Sequence, residues 1–429
     1  MKEYSFRITQ RQLSDLGGLL AAKAPDEAFV CACGSGYANF PQGLVRESWS
    51  FRKICGTISC DQVSQYTCDK YEKYCVFSND MAQLEKIACL SDSCLWGLFE
   101  GQQLRVFQYR DQLVPIDVVI IVGHTLHYRF GTNDLLHNKE QLHERTIQAF
   151  GSGTTEYLAN LTVGVAGASG TGSIVAEQLY RLGVKRLILV DDDYVEAHNL
   201  GRILNSTMED AQNQVNKAVM LKSVYDKIGL GTEVIAVPTV IADPNTVRLL
   251  SQCDLIFGCL DSADGRMHLN RLCTFYTLPY IDLGVKLKSD YGAISEISGA
   301  VRYMIPGAAS MLSVGAYTTE QVESEALRRD DPVAYRKRLA EKYIQGAQES
   351  SPAVISVNMF VGSLAVLEFL NRIHEYRDTP NSDVEVLNVN LLEPAFPQPT
   401  APSPEDQHLS KYLGKGDCAP LLDMPGIGV

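Results

Sequence analysis

The sequence predicts an α/β protein: a doubly wound, mostly parallel sheet with a smaller α/β domain before it. Strand-like and helix-like patterns alternate through residues 161–283, as they do in consecutive βαβ units. A glycine-rich loop, residues 167–172, follows the first of these strands and precedes a helix. A continuous apolar run at residues 118–122 indicates a further strand that is covered on both faces. These patterns predict a Rossmann-like architecture, which binds ligands at the carboxyl ends of its parallel strands.

Residues 1–140 form the smaller predicted domain. Residues 4–8 alternate between apolar and polar side chains like a strand, and residues 10–22 repeat apolar side chains at helical spacing. Residues 29–33 have the apolar composition of a buried strand.

The larger predicted domain covers residues 141–390. Its βαβ part is predicted to have strands at 161–166, 184–190, 233–237, 255–257 and 279–283. The helices between them are predicted at 172–182, 208–228, 244–252 and 264–276.

The end of the chain has a different pattern. Two alternating segments, 292–297 and 299–305, are predicted as antiparallel strands. Residues 306–352 are polar and lack strong periodicity, so we expect a long loop that is functional or mobile. Residues 354–373 form a long apolar helix, and the proline-rich tail, 391–429, is expected to extend over the surface.

The composition excludes several classes of function. Of 429 residues, 45% are apolar and 21% are charged, as in globular proteins. The net charge of −13 argues against a nucleic-acid partner or an anionic membrane surface. No apolar run approaches the roughly 20 residues that span a bilayer, and the first residues lack the apolar core of a signal peptide. We therefore expect a cytoplasmic protein.

Twelve cysteines are present, and eight of them lie between Cys31 and Cys94 without any C-x-x-C pair. We expect reduced thiols that pack as small apolar side chains. A zinc cluster is the alternative, although zinc sites usually have tighter paired spacing.

The glycine loop is the first candidate site. A loop with Gly167, Gly170 and Gly172 between a strand and a helix points backbone N–H groups at an anion. It departs from G-x-G-x-x-G because Ser169 takes the middle glycine position, and a simple tight turn is the alternative. Asp191 ends the next strand, where a carboxylate can accept hydrogen bonds from nucleotide ribose. These features fit a dinucleotide dehydrogenase equally well.

Four polar residues near the same sheet edge favour a triphosphate instead: Asn199, Arg202, Lys217 and Asp261. The carboxylate of Asp261 can hold Mg²⁺, and the two cations can neutralise phosphate charge. Hydride transfer does not need this set of cations and a metal-binding carboxylate. The alternative is that Arg202 and Lys217 are solvated and that Asp261 caps the following helix.

Four segments resemble the E1-like ThiF/MoeB/HesA adenylyltransferases: LTVG…GRIL (161–204), CDLI…LNRL (253–272), LPYIDLGV (278–285) and SPAV…LEFL (351–370). The resemblance covers about residues 141–390. It implies ATP and Mg²⁺ as cofactors and a ubiquitin-like or small carrier protein with a Gly-Gly C-terminus as the partner. It also implies a homodimer through the adenylation domain and an E2-like protein as a further partner.

The resemblance assigns roles to individual residues. Phosphate contacts are implied for Gly167, Gly170, Gly172, Asn199, Arg202 and Lys217. Asp191 would bind ribose, and Asp261 would hold Mg²⁺. Arg145 matches the family's arginine that reaches the nucleotide of the partner subunit, and the alternative is a solvated linker arginine.

Residues 1–140 resemble the JAMM/Mov34 metalloprotease-like domain. Glu27 and the segment 77–80 fit that pattern, but the His-x-His metal pair is replaced by YTCDK at 66–70. The resemblance therefore implies a degenerate domain without zinc or protease activity, which acts as a scaffold or docking surface.

Two further departures concern cysteine. Relatives often carry a zinc-binding C-x-x-C pair where this chain has 306–313, and another where it has 408–411, so we predict no structural zinc. No cysteine lies between Cys273 and Cys418, where thioester-forming relatives have their nucleophile. We interpret the three cysteines of the larger domain's core as structural: Cys253, Cys259 and Cys273.

The sequence therefore predicts ATP-dependent adenylation of a carrier protein's C-terminal carboxylate. The carboxylate is ionised at neutral pH and needs no general base. The alternative is a non-catalytic, nucleotide-binding scaffold for a ubiquitin-like protein and its conjugating enzyme. A dehydrogenase is the third reading.

Overall fold

The computed structural model describes residues 2–22, 27–41, 43–59, 72–89, 95–100, 103–131, 140–290, 293–340, 354–392, 397–424 and 427. Within these ranges the chain forms a nine-stranded sheet followed by an eight-stranded sheet, and helices pack against both. The predicted α/β class and the mostly parallel second sheet are confirmed.

The first sheet contains β1 (Lys2–Thr9), β2 (Glu27–Asn39), β3 (Val45–Ser59), β4 (Glu72–Ser78), β5 (Leu95–Glu100), β6 (Gln103–Arg110), β7 (Gln112–Pro115), β8 (Val118–Val122) and β9 (Leu126–Phe130). Its strand order is β7-β6-β5-β4-β2-β3-β1-β8-β9. Its helices are α1 (Gln10–Ala22) and α2 (Met81–Ala88), and α3 (Glu140–Phe150) and α4 (Ser152–Leu158) then lead to the second sheet.

The second sheet contains β10 (Thr162–Ala166), β11 (Arg186–Val190), β12 (Glu233–Val237), β13 (Leu255–Gly258), β14 (Tyr280–Asp290), β15 (Ala293–Met304), β16 (Val386–Asn390) and β17 (Gln398–Thr400). The helices are α5 (Gly170–Leu182), α6 (Met208–Gln212), α7 (Lys217–Ile228), α8 (Pro244–Leu250), α9 (Ala263–Phe275), α10 (Thr319–Asp330), α11 (Pro332–Ala340), α12 (Ile355–His374) and α13 (Gln407–Ser410).

Strand order in this sheet is β12-β11-β10-β13-β14-β15-β16-β17, and the strands from β12 to β14 are parallel. The chain first adds β11 and β12 on one side of β10, and it then adds β13 and β14 on the other side of β10. The order therefore reverses between β10 and β13. At such a switch point the loops part and leave a crevice for a ligand.

Three predictions about elements need correction. The single helix expected at 208–228 is two helices, because the Asn216 side chain accepts hydrogen bonds from two backbone N–H groups and caps α7. The two strands expected at 292–297 and 299–305 are one strand, β15, which pairs with β14 over nearly its full length. The long loop expected at 306–352 contains α10 and α11, and a capping box of Thr318 and Gln321 begins α10.

The two sheets are joined by buried charges. Arg46 of β3 donates to Asp254 Oδ1 at 2.6 Å, and Arg7 of β1 donates to the Cys253 carbonyl oxygen at 2.9 Å. Both arginines and Asp254 are almost fully buried. Apolar side chains of β8 and β9 also share a hydrophobic core with the second sheet. The two halves therefore pack as one structure.

The tail ties the halves together. The Gly34 N–H in β2 donates to the Gly414 carbonyl oxygen at 3.0 Å, and the Gly416 N–H donates to the Phe275 carbonyl oxygen at the end of α9 at 2.8 Å. A Cβ on Gly34 would overlap the tail backbone, so this close approach requires glycine. Within the described residues, no helix has the length and apolarity needed to cross a membrane.

Candidate functional site

A cavity of about 980 Å³ opens at the switch point, at the carboxyl ends of β10, β11, β12 and β13. Its lining includes most of the residues singled out from the sequence: Gly167, Gly170, Asp191, Asn199, Arg202, Lys217 and Asp261. The parallel topology brings them together because each follows the carboxyl end of a neighbouring strand.

The glycine loop is built by close backbone packing. Gly167 has φ +89°, and a Cβ there would lie 2.6 Å from the Cys259 carbonyl oxygen. A Cβ on Gly170 would overlap the buried amide of Asn358, which comes from α12. Both positions therefore need glycine for the loop to keep its path.

Gly172 differs from the other two glycines of the loop because it is outside the cavity lining, and its phosphate contact stays a prediction. It lies in the first turn of α5, where a Cβ would overlap the Gly167 carbonyl oxygen. Its role in the structure is to let the helix begin directly against the loop.

Asp191 is fixed by the loop that it faces. Its carboxylate accepts hydrogen bonds from the Ala168 N–H at 2.6 Å and the Asp193 N–H at 2.9 Å. Burial raises the pKa of Asp191 to about 6, while Lys217 and these two N–H groups act in the opposite direction. The carboxylate lies in the cavity wall, where it can accept further hydrogen bonds.

Lys217 is the first residue of α7, and its side chain is 6% exposed. Its Nζ lies 2.7 Å from Asp193 Oδ2, and the Asp193 side chain is 70% exposed. The amide of Asn216 donates to the carbonyl oxygens of Asp191 and Asp193, which ties the start of α7 to the end of β11.

Arg202 and Asn199 line the same cavity. Arg202 donates to Asn199 Oδ1 at 2.9 Å, and Asn199 is buried. The guanidinium still lines the cavity, where its remaining N–H groups can meet an anion.

Asp261 follows β13 and is exposed to the cavity. The cap of α9 is Ser262, whose side chain accepts from the Gly265 N–H at 3.2 Å. The alternative reading of Asp261 as a helix cap is therefore wrong. Among the described residues, none donates a hydrogen bond to its carboxylate, so its oxygens can serve a cation.

Sequence reasoning missed the contribution of α10 and α12. Glu325, Arg328 and Arg329 of α10 line the cavity, as does Asn358 of α12. Arg329 pairs with Asp264 in the first turn of α9, and the Asp264 N–H donates to Glu325 at 2.9 Å. The pair Arg328–Arg329 was visible in the sequence, but only folding brings it to the cavity.

Arg145 lies on α3, is exposed, and donates to Gln148 at 2.9 Å. It is not part of the lining of its own chain's cavity.

Two of the three cysteines predicted in the larger domain's core are packed inside it, and the third, Cys259, is partly exposed and lines the cavity. Cys253 and Cys273 are buried, and burial raises the pKa of Cys253 to about 12. Burial also raises the pKa of Cys259, which lies beneath the glycine loop. These thiols are protonated at neutral pH and are poor nucleophiles.

Where relatives have a first C-x-x-C pair, the side chains of Ser310 and Ser313 bond to each other's backbone N–H groups. Ser310 also donates to Asp406, which caps α13 of the tail. The described residues hold no cluster of three or more metal-ligating side chains. Hydrogen bonds therefore join the two segments at this position.

In the first sheet, the segment 77–80 ends β4 and begins α2. Asp80 caps α2, and Ser78 donates to Gln83, so both have structural partners. Glu27 begins β2. The segment 66–70, where the metal pair is missing, lies outside the described residues.

The switch-point crevice, the glycine loop and the cationic side chains that line the cavity define a protein of the doubly wound α/β class. Residues 143–410 match the ThiF family, and the chain belongs to that family.

Curated relatives include ubiquitin-like modifier-activating enzyme 5 from Drosophila willistoni, which is 26% identical over 186 residues, or 41% of this chain and 44% of that protein. The same enzyme from Culex quinquefasciatus is 24% identical over 41% of this chain and 45% of that protein. The chain thus matches less than half the length of these relatives.

Among solved structures, E. coli MccB with ATP is similar at 19% identity and a TM-score of 0.43, covering 64% of this chain and 74% of that one. MccB with N-formylated MccA gives 19% identity and a TM-score of 0.47, over 62% and 74% of the two chains.

Proposed function

We propose that this protein is an ATP-dependent adenylyltransferase that activates the C-terminal carboxylate of a ubiquitin-like or small carrier protein. The observation that carries this proposal is the shared cavity: one crevice collects the glycine loop, the carboxylates Asp191 and Asp261, and the cations Arg202 and Lys217. Membership of the ThiF family and the similarity to modifier-activating enzymes support it.

In this proposal, the nucleotide lies with its ribose at Asp191 and its phosphates at the start of α5. Two contributions neutralise phosphate charge: the loop's backbone N–H groups with the α5 dipole, and the side chains of Arg202 and Lys217. The carrier's carboxylate attacks the α-phosphorus, the bond from that phosphorus to the bridging oxygen breaks, and pyrophosphate leaves with the electron pair. Catalysis is then positioning and charge neutralisation.

The donor set fits Mg²⁺. Asp261 offers a carboxylate without a described hydrogen-bond donor beside the phosphate region, and Mg²⁺ is commonly held by one or two carboxylates together with substrate phosphates and water. When bound, the ion would withdraw charge from the phosphate oxygens.

We propose a homodimer in which Arg145 reaches the nucleotide of the partner subunit. The absence of Arg145 from its own cavity lining supports this assignment. Exposed apolar side chains support an interface: Leu142 and Phe150 on α3, and Met359 and Phe360 on α12. Pairs of large apolar side chains that are exposed to water on the same helix, as on α3 and on α12, are typical of subunit contacts.

The first sheet is proposed to be a degenerate JAMM-like domain that docks the carrier or an E2-like protein. The engagement of Ser78 and Asp80 in helix capping supports a structural rather than a catalytic use of that segment. We also infer a cytoplasmic setting, because the described cysteines are not joined by disulfides, as is usual in a reducing compartment.

A non-catalytic scaffold is the second candidate. It is favoured by the lack of any cysteine between Cys273 and Cys418, so no thioester nucleophile is available there. Such a protein would bind ATP without forming an adenylate.

ATP–pyrophosphate exchange distinguishes the adenylyltransferase from the non-catalytic scaffold. The full chain is assayed with small ubiquitin-like proteins that end in Gly-Gly, each as the free carboxylate and as the C-terminal amide. Exchange with the carboxylate form alone is expected. Asp261→Ala should abolish it while the circular dichroism spectrum is retained, and Asp226→Ala, which removes an exposed carboxylate from α7, should not. ATP binding without exchange for every carrier favours the scaffold, and normal exchange by Asp261→Ala refutes the metal role.

A further inference from the structure

The strongest unassigned feature of the cavity is the contact between Lys217 and Asp193. Lys217 is nearly buried, and a buried ammonium group needs an opposite charge close by. Asp193 Oδ2 supplies that charge at 2.7 Å. Asp193 itself is mostly exposed and lines the cavity, so it gives the contact while facing the space where a ligand would lie.

The backbone of Asp193 is held by several hydrogen bonds, whereas the described partner of its side chain is Lys217. Its N–H donates to Asp191 at 2.9 Å, and its carbonyl oxygen accepts from the Asn216 amide and the Lys217 N–H, both at 3.0 Å. A rotation of the Asp193 side chain alone can therefore break the ion pair. The start of α7 and the end of β11 stay joined when it does.

A phosphate group and the Asp193 carboxylate would compete for the same ammonium group. Both are anions, and their mutual repulsion disfavours simultaneous contact with Lys217. The exposed carboxylate loses little when it turns to water, whereas the buried ammonium cannot turn to water without leaving the cavity wall.

We propose that Asp193 is an exchangeable counter-ion: it holds Lys217 toward the cavity in the empty protein and gives way to a nucleotide phosphate. This inference rests on the proposed function, because it takes the cavity to be a nucleotide site. It assigns Asp193 as a positioning residue for Lys217. The direction in which a substitution of Asp193 changes the affinity for phosphate is therefore decisive. Removing a competitor strengthens phosphate binding, whereas removing a ligand-binding group weakens it.

The test is isothermal titration calorimetry of the full chain with ATP, AMP and adenosine. Asp193→Asn should tighten ATP binding by up to about five-fold, the upper end of the range that measured ion pairs with exposed partners give. Adenosine, which has no phosphate, should bind unchanged. Asp192→Asn removes the same charge one residue earlier, from a side chain that is not a described partner of Lys217, and should have a smaller effect.

A double-mutant cycle with Lys217→Gln isolates the pair. In that background Asp193→Asn should no longer tighten ATP binding, because the ammonium group for which the two anions compete is gone. Weaker or unchanged ATP binding by Asp193→Asn overturns the inference, as does a gain that persists with Gln at position 217. If the parent chain binds neither ATP nor AMP, the proposed function itself fails. If the parent chain binds them and Asp193→Asn does not tighten ATP binding, only the role of Asp193 is refuted.

Discussion

Gly172, in the first turn of α5, lies directly against Gly167: a Cβ on Gly172 would overlap the Gly167 carbonyl oxygen. The contact joins the first turn of the helix to the loop that leaves β10. The N-terminus of α5 can approach an anion in the cavity only if this turn stays close to the loop. Gly172 therefore contributes to the site without lining it.

Gly172→Ala is expected to push the loop and the helix apart. We expect a loss of about 1–3 kcal/mol in the free energy of unfolding, as for other overpacked sites, together with weakened ATP binding. Gly153→Ala is the matched control, since Gly153 lies in a helix with open space around its missing Cβ. Urea unfolding and calorimetry measure the two effects. Wild-type ATP affinity in Gly172→Ala would contradict the assigned role.

The raised pKa of Asp191, about 6, predicts a pH-dependent ligand affinity. Above this pH the carboxylate is ionised and accepts hydrogen bonds from ribose, and below it the proton competes. We expect adenosine affinity to fall as the pH is lowered from 7.5 to 5.5, with a midpoint of about 6. Adenosine is the suitable probe because it has no titrating phosphate.

Asp191→Asn should remove this pH dependence. Stability should change in the opposite sense: a carboxylate whose folded pKa lies above its unfolded value stabilises the fold at low pH, and this contribution is lost as the pH rises through about 6. An identical adenosine profile in the parent and Asp191→Asn would exclude Asp191 as the titrating group.

The buried pair of Arg46 and Asp254 joins the two sheets, so its loss should be costly. Arg46→Ala leaves the Asp254 carboxylate buried without its cation, and we expect a loss of about 3–5 kcal/mol in the free energy of unfolding. Lys2→Ala breaks an ion pair with Glu47 in which the lysine is half exposed. This substitution should change the free energy of unfolding by less than about 1 kcal/mol. Urea unfolding of both variants measures the two losses in unfolding free energy. Equal losses would argue that the buried pair does not make a major contribution to holding the two sheets together.

The proposed homodimer predicts complementation between two inactive chains. Arg145→Ala and Asp261→Ala should each abolish exchange alone. In a random mixture, mixed dimers contain one intact site, and about a quarter of wild-type activity should return. Exchange in the mixture, with mixed dimers verified by differential tagging, measures this. Mixed dimers that form and remain inactive would refute an Arg145 that acts across the interface.

Several features of this protein follow from local sequence. The glycine loop, the end of β11 just before Asp191 and the start of β13 could be predicted because hydrophobic periodicity sets strand and helix positions. In a parallel sheet the carboxyl ends of neighbouring strands meet, so the sequence also predicted that Asn199, Arg202, Lys217 and Asp261 share one edge. The structure brings these residues to one cavity, and their roles in binding remain predictions.

Other features depend on contacts between distant parts of the chain. Asn358 backs the loop at Gly170, Arg329 reaches Asp264, and Arg46 reaches Asp254, across 188, 65 and 208 residues. No local pattern marks these pairs, because each residue alone looks like an ordinary helix or strand position. The sequence by itself determined the class of sheet and the edge at which a nucleotide would bind. Only the tertiary structure decided which helix closes the cavity and which buried charges join the two sheets, since side-chain proximity across such separations is set by how the elements pack.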